Sequence, residues 1–128
     1  MEIQTDTDRH MRADRRVPSR GLVEAARGAD SPVGLVATDG RLGYLGPRLL
    51  TALGFGRRDD LEGLHLTHLW RHDIRDRARG ALARASGGRV AHVEMDLAWL
   101  DPEGGDCAIT LEPIPDEPAW LLLRLDCA

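Results

Sequence analysis

The strongest constraint in this chain is an alternation that runs through residues 89–127. Three segments, 89–101, 107–114 and 119–127, place apolar side chains at every second position, and the intervals 102–106 and 115–118 hold the Pro, Gly and Asp of turns. A period of two means strand. Ala91, Val93, Met95, Leu97 and Trp99 share one face with Cys107, Ile109, Leu111, Leu121, Leu123, Leu125 and Cys127, while His92, Glu94, Asp96, Thr110, Glu112, Arg124 and Asp126 share the other. Burying each large apolar side chain contributes about 1.5–3 kcal/mol. A three-stranded ribbon cannot cover its own face, so residues 33–88 must pack over it.

Upstream, residues 1–20 mix Arg9, Arg12, Arg15, Arg16 and Arg20 with Glu2, Asp6, Asp8 and Asp14, which predicts a mobile arm ahead of a single domain over 21–128. Residues 21–28 form a short leading helix with Leu22, Val23 and Ala26 on one side, too short to stand without a surface beneath it. A hairpin follows over 33–45, closed by a two-residue Asp39-Gly40 turn, with Val33, Leu35 and Ala37 on one face. Pro47 opens a helix with Leu49, Leu50 and Leu53 inward, and Gly54 ends it. After a helical turn over 57–63 and an irregular stretch carrying Leu64, Leu66 and Leu69, Asp73 caps the longest helix. Its apolar positions are Ile74, Ala78, Ala81, Leu82 and Ala85. The order is that of an antiparallel α+β domain.

Charge narrows the partners. All 17 cationic residues are Arg, 21 acidic residues outnumber them, and the net charge of −4 leaves no footprint for nucleic acid or an anionic membrane. Without Lys there is no Schiff base and no phosphate-loop Lys. No run of 18 apolar residues occurs, and the first 20 residues are charged where a signal peptide needs an apolar core, which predicts a cytoplasmic protein. Two cysteines are too few for a disulfide scaffold and lack zinc-ligand spacing, in keeping with a reducing compartment.

Taken in order, these marks resemble a PAS domain over roughly residues 22–127. The resemblance rests on the Asp39-Gly40 hairpin leading into Pro47, the Leu-rich helix ending at Leu53-Gly54-Phe55, the Asp60-Leu61-Glu62-Gly63 turn, the His68-Leu69-Trp70-Arg71-His72-Asp73 segment, the long helix and the three strands. Two positions depart from the pattern: Gly46 stands where such chains commonly have Asn, and His72 where many have Pro. The resemblance implies a five-stranded antiparallel sheet of order 2-1-5-4-3 with helices packed on one face around a pocket. It also implies a sensory or interaction module in signal transduction, acting through a signalling partner or a fused output domain, and not an enzyme.

Within that frame the pocket is lined by Leu35, Leu49, Leu53, Leu69, Ile74, Val93, Met95, Leu97, Ile109, Leu111 and Leu123. This lining suits a small apolar ligand and suits a filled core, the reading preferred for a chain so rich in Leu and Ala. A flavin photosensor of the light, oxygen and voltage type is disfavoured, since the segment before the long helix has no Cys and the chain has no Asn. His65, His68 and His72 are an alternative haem or metal site for a gas or redox sensor. Haem-binding members mostly take their axial His from the long helix, which here has none, so capping or surface roles are preferred and no cofactor is assigned. His92, Glu94 and Asp96 read as a solvated outer face. Ser19, Ser31 and Ser86 offer no triad, and Arg75, Arg77, Arg79 and Arg84 read as a solvated helix side.

Two pairings carry sharper expectations. If Leu111 faces Leu123, then Cys107 faces Cys127, and the thiols are neighbours: a redox pair by geometry, with buried free thiols as the plainer reading. On the outer face Val90, Ala98, Leu100, Trp120 and Leu122 need a cover, supplied by the Leu22, Val23 and Ala26 side of the leading helix from this chain or a partner. This predicts a homodimer with Trp120 near its interface. The alternative from another class is an accessory or regulatory subunit docked through the same face.

Overall fold

The computed structural model describes residues 17–55, 61–96 and 105–127. The alternation of the C-terminal half becomes β3 (Ala91–Asp96), β4 (Asp106–Ile114) and β5 (Glu117–Cys127), preceded by β1 (Val33–Ala37) and β2 (Leu42–Leu45). All pairings are antiparallel and the order is β2-β1-β5-β4-β3. The helices are α1 (Arg20–Arg27), α2 (Pro47–Leu53) and α3 (Arg75–Ser86), with 3₁₀ turns at Leu66–Leu69 and His72–Ile74. Sheet and order are those the alternation and the resemblance imply.

Two apolar clusters lie on opposite sides of the sheet. The inner one joins Leu49, Leu50 and Leu53 of α2, Leu66 and Leu69 of the first 3₁₀ turn, and Ala78, Ala81, Leu82 and Ala85 of α3 to inward residues of all five strands. The outer one holds Ala26 of α1 with Val33, Leu35, Ala37, Tyr44 and Trp120. Leu35 therefore does not line the inner pocket. It pairs with Leu122, and its neighbour Val36 pairs with the inward Leu121, so β1 turns Val36 to the core and Leu35 to α1. Every residue of β1 is buried, and a strand covered on both faces has no polar side by which sequence could orient it.

A bulge fixes the faces of β2. Leu35 pairs with Tyr44 but Val36 with Leu42, leaving Gly43 as the extra residue. The hairpin turn itself differs from expectation. Ala37 O accepts from Gly40 N at 2.8 Å and Arg41 O from Ala37 N at 2.9 Å, and of the turn residues only Gly40 has positive φ, 98°. A two-residue type I′ turn needs positive φ at both centres, so the loop spans three residues, 38–40.

Other boundaries shift for local reasons. The leading helix starts at Arg20, because Ser19 Oγ accepts from Leu22 N at 3.3 Å and Pro18 is already buried. The described chain thus begins within the expected arm, whose residues 1–16 lie outside it. Asp73 sits in a 3₁₀ turn and does not cap α3, whose N-cap Ile74 makes no side-chain bond. β3 begins at Ala91, leaving Val90 55 % exposed beside the sheet. Leu97, Ala98, Trp99 and Leu100 lie outside the described residues, as do 56–60.

Both sheet margins carry contacts. Along β2, Leu42 N donates to Leu64 O and Gly63 N to Leu42 O, both at 2.8 Å, and Leu66 N donates to Gly40 O at 2.6 Å. At β3 the Trp70 indole, 2 % exposed, donates Nε1–H to the Glu94 carbonyl at 2.8 Å.

The β4–β5 register matches expectation: Leu111 opposes Leu123, Ile109 opposes Leu125 and Cys107 opposes Cys127. The cysteines are joined as a disulfide, with Cα atoms 4.0 Å apart. Free thiols were the plainer reading, and the bond removes the cysteine argument for a reducing compartment. Non-hydrogen-bonded pairs bring Cα atoms closest in an antiparallel ladder. Leu125 gives its N–H to Pro32 O at 3.0 Å on the β1 side, which makes its pair with Ile109, and the Cys107 pair two residues on, of that close kind.

Candidate docking site

On the outer face α1 lies across β1, β2 and β5. Gly28 stops it, its N–H reaching the Glu24 carbonyl at 3.0 Å. Ala26 is buried, and Leu22, Val23 and Ala29 are half-buried against Leu35, Tyr44 and Trp120. Gly43 makes room for the Trp120 ring: a Cβ there would sit inside van der Waals range of the indole and 3.3 Å from Pro18 Cγ. Trp120 is 5 % exposed, so the cover it required comes from its own chain and the residue is not available to an interface.

Beside α1 the covering is incomplete. A groove of about 290 Å³ runs between helix and sheet, walled by Leu22 and Ala25 and floored by Leu35, Ile114 and Leu122. Arg124 also lines it and pairs with Glu112 at 2.8 Å, so the charge it brings is neutralised. Of the expected interface residues, Leu22, Val23, Ala26, Trp120 and Leu122 assemble here. Val90 does not, and Leu100 is outside the described residues.

The expected inner pocket is a packed region. Leu49, Leu53, Leu69, Val93, Met95, Ile109, Leu111 and Leu123 are all buried together, and Ile74 is packed half-buried against them. Leu97 is outside the described residues and Leu35 is on the other face. Trp70 was not foreseen in this cluster, whereas Leu66 and Leu121, expected in the core, join the lining residues here. The signal for Trp70 was its indole N–H, which requires an acceptor when buried, and Glu94 supplies it.

The histidines separate. His65 ends the approach to the 3₁₀ turn, its Nδ1 accepting from Thr67 N at 3.3 Å and lying 2.9 Å from Thr67 Oγ1, while its ring lies against Gly40. Burial pushes its pKa down, reinforced by the neighbouring His68 and Arg41, with a hydrogen bond at the Asp39 backbone acting against them. His68 and His72 are exposed. Among the described residues no three His, Cys, Asp or Glu side chains converge to hold a metal. On the outer sheet face His92 Nδ1 meets Thr110 Oγ1 at 2.9 Å, and His92 and Glu94 edge a separate charged hollow of about 350 Å³ with Asp76, Arg77, Gly80 and Arg84 of α3. Neither place holds an aligned nucleophile and base.

Solved structures share this architecture. A domain of a sensory box sensor histidine kinase/response regulator from Geobacter sulfurreducens superposes with a TM-score of 0.66 at 19 % identity, over 84 % of this chain and 91 % of that one. The PAS domain of an HTR-like protein from Haloarcula marismortui gives 0.65 at 13 % identity, over 84 % and 94 %. The chain has the PAS fold. A Rhodobacter sphaeroides LOV protein also matches this PAS fold, with a TM-score of 0.62 and 22 % identity over 81 % of this chain and 63 % of that one. No known family model and no curated protein sequence matches. Among the described residues no helix is long and apolar enough to cross a membrane.

Proposed function

We propose that this PAS domain is a non-catalytic sensory and interaction module in signal transduction, working through α1 and the outer sheet face as a homodimer. The observation that carries this reading is the apolar groove beside α1. It is the place where the fold leaves Leu22, Ala25, Ile114 and Leu122 incompletely covered, and apolar surface of that kind is what an interface uses. The inner cluster, packed around Trp70, supports a filled core more than a ligand chamber. A partner signalling protein seated in the same groove is the alternative occupant.

Native mass spectrometry and light scattering test it. The parent should have twice the chain mass, and Ala25→Glu, at an exposed helix position on the groove wall, should return it to the single mass with unchanged circular dichroism. A parent that stays monomeric at every concentration removes the homodimer. Extra mass that disappears on denaturation would return a ligand to the inner core, and a Soret band would restore the haem alternative.

A further inference from the structure

The end of β5 is held in an unusual way. β1 pairs with β5 from Trp120 to Arg124, and the last bond on that side is Leu125 N to Pro32 O. Beyond it, among the described residues, the strand paired with β5 is β4. Ala108 and Asp126 oppose each other, and because the neighbouring 109/125 and 107/127 pairs are of the non-hydrogen-bonded kind, 108/126 is the hydrogen-bonded rung that lies between Leu125 and the disulfide. Cys127 is therefore joined to Cys107 by its sulfur, within a pair whose own backbone groups do not bond to each other. The two cysteines also differ in setting: Cys107 is 7 % exposed within the inner cluster, whereas Cys127 is exposed.

We propose that Cys107–Cys127 is a redox latch on the end of β5, opened by low-molecular-weight thiols and closed by their disulfides. The proposal stands independently of the docking reading. A thiolate attacks the Cys127 sulfur, the S–S bond breaks, and Cys107 leaves as a thiolate that takes up a proton. A second thiol attacks the mixed disulfide and releases Cys127, so the protein gains two hydrogens while two thiols become one disulfide. Closing reverses these steps with a disulfide as the oxidant. The inner cluster keeps its packing because Cys107 remains a small apolar residue there. What is lost is the tether on the overhang after Leu125.

The test equilibrates the protein in glutathione buffers from mostly oxidised to mostly reduced, traps free thiols by alkylation, and reads intact mass and amide exchange. The latch opens within the series, and the Ala108 and Asp126 amides lose at least about tenfold in protection, while those of Val36 and Leu121 keep theirs. Cys127→Ser shows the open pattern in every buffer. A bond that stays closed in the most reduced buffer is a permanent staple and overturns the proposal. Opening without a change at Ala108 and Asp126, or opening that unfolds the domain, overturns it as well.

Discussion

His65 joins the 3₁₀ turn and the β1–β2 loop through one ring. Its Nδ1 accepts from Thr67, which requires the neutral form, and the other side of the ring packs on Gly40. Because burial holds its pKa below the ordinary value, the unfolded chain binds this proton first as pH falls. Stability contributed by His65 is therefore complete above about pH 6.5, the unfolded value, and declines below it until the folded ring also titrates. Denaturant midpoints at about pH 7.5 and about pH 5.5 should fall further in the parent than in His65→Asn, which keeps a capping acceptor without the titration. Equal losses in both would remove His65 as the cause. The sequence made His65 visible as one of three histidines, but only the fold of residues 63–66 back along β2 separates it from exposed His68 and His72.

At the scale of elements, β2, β5 and α1 depend on one small residue. Gly43 is the bulge, the bulge turns Tyr44 outward, and the absent side chain admits Trp120 beneath Pro18 and α1. Gly43→Ala should cost about 1–3 kcal/mol through overpacking, seen as a lower denaturant midpoint together with red-shifted tryptophan emission as the ring is displaced. A variant with the parent's midpoint and spectrum would show that the ring has room to move. The strands and helices themselves were legible, since period two and the Pro47 and Gly54 signals are local. The faces of β1 were not. Residues 33–37 are apolar throughout, so only the Leu35–Leu122 and Val36–Leu121 pairings, made with a strand some 85 residues later in the chain, decide which side chain meets α1. The three-residue turn at 38–40 escaped for a similar reason, as Asp39-Gly40 suits both loop lengths.

For the whole molecule, one sheet serves two cores. β1 and β5 send alternate residues into the inner and outer clusters, so neither cluster can lose its sheet while the other keeps it. Far-ultraviolet circular dichroism and the fluorescence of a Trp99→Phe, Trp120→Phe protein, which reports Trp70, should therefore trace a single unfolding transition. Separated midpoints would mean that the inner core melts apart from the sheet. The overall architecture was readable because alternation and turn residues repeat over the whole C-terminal half. The docking groove was readable only as a need for cover, since sequence says that Trp120 must be shielded but not which surface remains after α1 has shielded it. These marginal contacts bear on behaviour in crowded solution. Strand-to-strand accretion, the route by which sheets lengthen into fibres, starts from free backbone groups on an outer strand. Residues 63–66 engage Gly40 and Leu42 on one border and the Trp70 indole takes the Glu94 carbonyl on the other, so an added strand would have to displace contacts at either border.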